Sequence, residues 1–319
     1  MLEKMILMKK RVLLLCFSVL IAMSAFAQDD LLSMLDSSSS KKAPGTKVIA
    51  TFKNSKIVNA QTTETVKAKT MDFKITHRFG NMGTESNGGV HTLYGWDNIQ
   101  DVRLSFDFGI TDKLTLGVGR SKRGENLDGS LKYRLLEQTT DNKVPLSMAI
   151  YEDLIFTPQT AAQLYAGTVN PPNNNADRFT YVSQLIIARK FGPKFSFEVL
   201  PTYVHRNYVM AAINPDNGAS ETNDLFALGG GGRIKLGKRV AIIADYFYTF
   251  SDYRMNNSST PFYNVFAVGI EIETGGHVFH IDLTNAPGIL EGDFLANTTD
   301  SWLKGGFKLG FNISRVFNL

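Results

Sequence analysis

The chain has 319 residues, of which 43% are hydrophobic and 20% charged, and its formal net charge is +4. This length suits one large domain, and no clustered basic face points to nucleic acid. A single cysteine, Cys16, rules out a disulfide framework and a cysteine-based zinc site.

Residues 1–27 read as a secretory leader. Lys9, Lys10 and Arg11 supply the positive start, residues 12–23 the apolar run, and Ala25-Phe26-Ala27 a small-x-small cleavage site. A start at Met8 would give a shorter n-region. The apolar run is too short to span a membrane comfortably. Cys16 follows Leu13-Leu14-Leu15 near the start of that run, which is not the setting of a lipidated cysteine. The leader holds Lys4, Lys9, Lys10 and Arg11 against Glu3, so its removal takes the net charge from +4 to +1. No later stretch approaches the run of about eighteen apolar residues that a membrane helix needs.

Residues 28–65 form an extension before the main domain. Leu31, Leu32 and Leu35 share one side of a short amphipathic helix over 29–36, which is either a frayed tail or a docking or plugging element. Ser37 to Gly45 make a flexible linker. Residues 47–60 alternate weakly, as an extra strand or a segment lying in a lumen.

From residue 66 to the end, period-two alternation dominates. In Val102-Arg-Leu-Ser-Phe-Asp-Phe-Gly-Ile110 the apolar residues fall at every second position, giving one oily and one wet face. Strands are expected over 66–79, 101–111, 113–121, 128–137, 145–156, 178–191, 194–208, 224–237, 239–251, 262–274, 277–285 and 304–318. Connections after even strands are tight and carry Gly, Pro and Asp, as at Gly192-Pro193 and Gly275-Gly276. Those after odd strands are long, except 122–127. Strands of roughly ten residues with loops sorted in this way signify a transmembrane β-barrel with short periplasmic turns and long external loops. The fold class is therefore all-β: a single up-and-down antiparallel barrel of about twelve strands over 66–319, with a periplasmic extension and both termini periplasmic. A half-buried soluble sandwich also alternates, but has no reason to sort its loops. The last strand places Phe307, Leu309, Phe311, Ile313 and Phe317 on one face, a C-terminal signal for the barrel-assembly machinery. The expected partners are outer-membrane lipids, that machinery and a small polar solute; the oligomeric state is left open.

With apolar residues outward, the lumen-facing candidates are Arg103, Asp107, Lys132, Arg134, Glu198, Arg206, Arg233, Asp245, Glu271 and Lys308. Asp72, Lys74, Arg78, Asp153, Glu273 and Asp282 share that parity. Such a mixture suits cross-strand ion pairs better than a one-sign selectivity ring. Twelve strands lie between the filled eight-stranded barrel and the open sixteen-stranded porin, so narrow, plugged and closed lumens are all allowed. Pro201 removes a ladder donor from one strand, and Gly229 to Gly232 interrupt the next. These are either a bend that eases curvature or room for the N-terminal segment inside the barrel.

An outer-membrane lipid hydrolase would need a histidine beside a serine nucleophile. His77, His205, His277 and His280 are the candidates, and none lies in an H-x-S arrangement. His280 and Asp282 share a face, most simply as a structural pair. His77-Arg78 and His205-Arg206 lie near outer strand ends, bracing the rim or touching a ligand. No phosphate loop, calcium loop or cofactor motif occurs. Tyr94, Trp96, Tyr165, Tyr253 and Trp302 fall in the long loops, as a membrane-interface girdle or a carbohydrate-type surface.

Several fragments resemble an uncharacterised outer-membrane β-barrel family of Bacteroidota-type bacteria, a domain of unknown function. They include Ala50-Thr-Phe-Lys-Asn54, Ile75-Thr-His-Arg-Phe-Gly80, Phe108-Gly-Ile-Thr-Asp-Lys-Leu114 and Asp128-Gly-Ser-Leu-Lys-Tyr133. Leu185-Ile-Ile-Ala-Arg-Lys190, Val204-His-Arg-Asn207, Phe226-Ala-Leu-Gly-Gly-Gly231, Ile272-Glu-Thr-Gly-Gly-His-Val278 and Phe311-Asn-Ile-Ser-Arg-Val-Phe317 continue in order. The resemblance implies the fold and supplies no activity. The leading expectation is non-enzymatic: a narrow pore, or a solute-binding or structural envelope protein. The alternatives are a lipid hydrolase and an adhesin or receptor acting through the long loops.

Overall fold

The computed structural model describes residues 45–160, 163 and 174–319. The leader, the helix expected over 29–36 and Tyr165 lie outside them. The alternating stretches form twelve strands: β1 Thr70–Asn81, β2 Ile99–Gly109, β3 Leu114–Ser121, β4 Leu127–Leu136, β5 Ser147–Phe156 and β6 Phe179–Lys190 in the first half. The second half adds β7 Phe195–Arg206, β8 Asp224–Lys235, β9 Val240–Phe250, β10 Val265–Glu273, β11 His277–Thr284 and β12 Lys308–Asn318. An α-helix, α1, Glu291–Asn297, lies in the β11–β12 connection.

Each strand pairs antiparallel with its sequence neighbours, and β1 pairs with β12 to close the barrel. The closing register runs from Thr70 opposite Asn318 to Asn81 opposite Lys308. Closure removes the open edge that would leave backbone donors and acceptors facing lipid. β1 begins four residues after the expected position, at Thr70 rather than residue 66. The backbone before it is occupied in other ways: Lys69 donates its N–H to the Gly109 carbonyl (3.0 Å), and Leu319 donates to the Lys69 carbonyl (2.9 Å).

The connections sort by length as the spacing predicts. Segments 110–113, 137–146, 191–194, 236–239 and 274–276 turn at the end that holds both β1's start and β12's finish. Segments 82–98, 157–178, 207–223, 251–264 and 285–307 lie at the opposite end, with 122–126 the short exception. On β2, Leu104 and Phe106 are exposed on the outer wall while Ser105 between them is buried. At the long-loop end Trp96 stacks on Phe79 (5.4 Å between centroids) and Trp302 on Phe307 (4.9 Å), forming an aromatic band on the wall. Tyr253 departs from the expected girdle. It is buried, with the Arg254 guanidinium 5.6 Å from its ring and Phe262 beside it.

Pro201 and the glycine run face one another, with Leu200 opposite Gly229 and Pro201 opposite Leu228. The β6–β7 ladder lapses between the Gln184–Thr202 and Ile187–Val199 pairs, the stretch that contains Pro201. Among these glycines, Gly229 and Gly231 are buried inward, and what they accommodate is inside the barrel.

The alternation makes a depth-dependent prediction. Leu104 lies midway along β2 on the lipid face, and Ile110 lies just beyond the strand's end. Leu104→Arg should destabilise the barrel by about 2–4 kcal/mol and Ile110→Arg by about 1 kcal/mol or less. Denaturant titration in lipid vesicles measures both, and equal costs would contradict the assigned lipid face.

Candidate functional site

The lumen is filled from the short-turn end by the chain that precedes β1. The segment enters beside the β4–β5 turn, where Val48 donates its N–H to the Gln138 carbonyl (2.7 Å). It then rises into the barrel and reverses. Thr62 donates to the Ser55 carbonyl (2.9 Å) and Ile57 to the Ala60 carbonyl (2.9 Å), which makes a tight hairpin with Val58 and Asn59 at its tip. Residues 54–63 of this hairpin are buried throughout.

The tip is held by charges that the strands point inward. Asp245 on β9 accepts the backbone N–H groups of Val58 (3.2 Å), Asn59 (2.6 Å) and Ala60 (3.1 Å), and the Asn59 side-chain amide at 2.8 Å. Arg78 on β1 donates to the Asn59 side-chain carbonyl (2.6 Å). Lys132 donates to the Ser55 carbonyl (2.7 Å) and the Gln61 side chain (3.0 Å), and Arg134 to the Thr63 carbonyl (3.0 Å). His280 meets the Ile57 carbonyl at 2.9 Å. Ile57 itself occupies the space left by Gly231, where an added Cβ would come within 2.6 Å of its Cδ1.

From the long-loop end, the β11–β12 connection folds inward to meet this hairpin. Its residues Ala286, Ile289, Leu290 and Phe294 are fully buried. The Phe294 ring of α1 packs edge-on against Phe247 (5.3 Å), and Phe247 lies over Gly229. The two obstructions touch. Lys56 of the hairpin donates to the Ile289 carbonyl (2.9 Å) and pairs with Glu291 (3.3 Å), and Gln61 donates to the same carboxylate (3.0 Å). Arg78, already on Asn59, also donates to the Ala286 (3.3 Å) and Gly288 carbonyls.

The structure places the ten lumen-facing candidates in several settings. Asp245, Lys132 and Arg134 hold the hairpin. Arg103 reaches across β3 to Asp128 (3.0 Å), through space that Gly119 leaves open. Asp107 pairs with Lys74 of β1, which also reaches Ser55 of the hairpin. Arg233 bridges to Glu271 (2.7 Å) and Glu273 (2.8 Å), and Glu271 meets His280 (3.3 Å). Lys308 is buried on Asp300 (2.6 Å) and the Asn285 carbonyl. Glu198 is buried beside Gly231 with neither oxygen hydrogen-bonded. Arg206 belongs to the mouth at the long-loop end. The residues that parity missed are those of the two obstructions, Lys56, Asn59, Glu291 and Phe294, together with Arg254. Lys56 and Asn59 sit in a segment without strong alternation, and the other three lie in loops. Gly229 and Gly231, with the weak alternation over 47–60, are the sequence signals for what fills the barrel.

The histidines divide as follows. His77 stacks on Phe311 at the outer wall (5.2 Å), and His205 meets Asp224 at 2.7 Å. His277 stacks on Phe279, and His280 serves the hairpin. No described histidine has a serine hydroxyl among its hydrogen-bond partners.

Above α1 the long loops enclose a vestibule of about 620 Å³. Arg254 donates twice to the Ala296 carbonyl (3.1 and 3.0 Å), at the helix end where cations are favoured. The same guanidinium grips Glu221 (2.9 and 2.8 Å), which Arg206 also holds (2.8 Å). This carboxylate therefore ties the β7–β8 and β9–β10 loops to the helix. Burial alone would raise the Glu221 carboxyl, but the guanidiniums of Arg254 and Arg206 outweigh it and hold the carboxyl below its ordinary value.

Two predictions follow from this geometry. Asp245→Ala leaves three hairpin N–H groups unpaired, and Gly231→Leu forces Ile57 from its seat. Each should raise protease cleavage within residues 51–63 several-fold while the barrel stays folded, and unchanged cleavage would contradict the hairpin's seating. For Glu221, a depressed folded value means that the clamp's contribution is present above the unfolded value of about 4.3 and is lost as pH falls through the folded one. Proteolysis of loop 207–223 should stay slow at pH 5 and rise only in stronger acid, and Glu221→Gln should abolish that step. A rise already near neutrality would contradict the assignment.

Comparison with curated proteins gives no match. Solved structures similar to the chain include a NanC porin, with TM-score 0.45, 10% identity and coverage of 78% of this chain and 99% of that one. A KdgM porin gives 0.41 and 9%, with the same coverage. The outer membrane protein Omp33 of Acinetobacter baumannii gives 0.37 and 9%, covering 81% of this chain and 100% of its own. Residues 52–317 match the family described as "Membrane bound beta barrel domain (DUF5777)", and the chain belongs to that family.

Proposed function

We propose that this protein is a non-enzymatic outer-membrane barrel that keeps a passage for a small polar solute shut until its N-terminal hairpin is displaced. In this reading the short turns and both barrel ends face the periplasm and the long loops face outward. The hairpin is then a periplasmic plug, and the β11–β12 connection is an external constriction. The barrel meets outer-membrane lipids through its apolar wall and the assembly machinery through β12.

The observation that carries the reading is the contact between Lys56 and the Ile289–Glu291 stretch in the middle of the lumen. A wall with only a structural role would be served by cross-strand ion pairs. Here Asp245, Lys132, Arg134 and Arg78 are instead committed to a segment that is not part of the wall. The bonds that hold it are polar, so water and a solute entering from either end can exchange for them, which a hydrocarbon plug would not permit.

Planar-bilayer recording tests this reading. The intact protein should stay mostly closed, with brief openings. The Asn59 side chain lies 3.3 Å from the Thr284 hydroxyl. An Asn59→Cys, Thr284→Cys pair should therefore silence the openings when oxidised and release them on reduction. A barrel lacking residues 51–63, with 287–299 replaced by a short Gly-Ser turn, should conduct steadily. If that stripped barrel is folded in the bilayer and silent, the passage does not exist and the role is structural.

A further inference from the structure

The vestibule above α1 holds more positive charge than the protein itself neutralises. Four arginines line it, Arg123, Arg178, Arg206 and Arg254, against Asp177, Glu221 and Asp293. Arg123 pairs with Asp293 (2.6 Å). Glu221 is shared by two guanidiniums, so that trio keeps one positive charge. Arg178 and Asp177 balance formally, yet no carboxylate lies within ion-pair distance of Arg178 among the described residues. Its one side-chain hydrogen bond there is a long contact to the Pro158 carbonyl (3.4 Å).

A guanidinium is never deprotonated and carries five donors in a planar fork, so unfilled donors in a water-accessible cavity call for an anionic acceptor. Carboxylate and phosphate match that fork with two parallel hydrogen bonds. The rest of the lining supplies polar and flat apolar groups, with Asn126 and Thr157 on one side and Phe262 on the other. A cavity of about 620 Å³ falls in the range that encloses a compact organic molecule.

We propose that this vestibule is a binding site for a small organic anion bearing a carboxylate or a phosphate, with Arg178 as its principal contact. The inference names the solute class for the passage proposed above and rests on that reading for the direction of access. Binding itself needs no open pore, so the two can fail separately.

Isothermal titration of the full chain in detergent tests it. The probes are glucuronate for a carboxylate, glucose 6-phosphate for a phosphate, and glucose as their neutral relative. One or both charged probes should bind at least about tenfold more tightly than glucose, in line with a charge-assisted hydrogen bond. The stronger of the two identifies the preferred head group. Added salt should weaken the interaction. Arg178→Gln should lower that affinity about tenfold, and because Arg178 holds no carboxylate among the described residues, its thermal unfolding should match the parent. Arg120→Gln, on an exposed pair with Glu125 outside the vestibule, should leave binding unchanged. Charged probes that bind no better than glucose, or an Arg178→Gln protein with parental affinity, would overturn the proposal. In the passage experiment the same loss would leave the closed-to-open behaviour of the hairpin variants intact.

Discussion

Asp245 accepts three consecutive backbone N–H groups and one side-chain amide from the hairpin tip. Without that carboxylate the tip would carry unpaired donors into a closed interior. Burying a bare amide costs several times what a typical hydrogen bond contributes in net terms. A single inward charge on β9 thus decides whether the N-terminal segment can stay in the lumen. The wall supplies the rest of the required partners: Arg78 for the Asn59 carbonyl oxygen, Lys132 for Ser55 and Gln61, Arg134 for Thr63.

Both obstructions depend on the same stretch of wall. Gly229 makes room for Phe247, against which Phe294 of α1 packs, and Gly231 makes room for Ile57 of the hairpin. They then meet through Lys56 and Glu291, and through Arg78, which bonds to both. Their stabilities are therefore coupled. Moving the loop strips Lys56 of its carboxylate, and moving the hairpin leaves Glu291 buried without its cation, which is a costly state for either group. Polar contacts join the two obstructions to each other, while Ile57 and Phe294 pack each of them among buried apolar residues.

One short helix joins the lumen to the mouth at the long-loop end. Glu291 at its start receives Lys56 and Gln61 from the hairpin, and the Ala296 carbonyl near its end receives Arg254. Arg254 is in turn fixed by Glu221, which Arg206 shares. The vestibule's floor and the hairpin's contact with Glu291 are thus two ends of a single seven-residue element. Gly292 packs this element so closely against Thr180 and Ile155 that a Cβ there would sit 2.9 Å and 3.1 Å from them.

The sequence by itself determined the wall. Period-two alternation assigns an oily and a wet face to each strand with no knowledge of its neighbours, and turn chemistry sorts short connections from long ones. The twelve strands and their order were legible for that reason. The glycine run opposite Pro201 allowed either a bend or a seat for the N-terminal segment, and the sequence did not choose between them. Tertiary structure alone decided what those charges do. Asp245, Lys132 and Arg134 look like members of a bracing network until the hairpin tip comes between them. Lys56 meets Glu291 across 235 residues of chain, and Arg254 meets Ala296 from a different loop. No local pattern encodes such pairs, because the partners become neighbours only after the cylinder closes and two irregular segments compete for the same enclosed space.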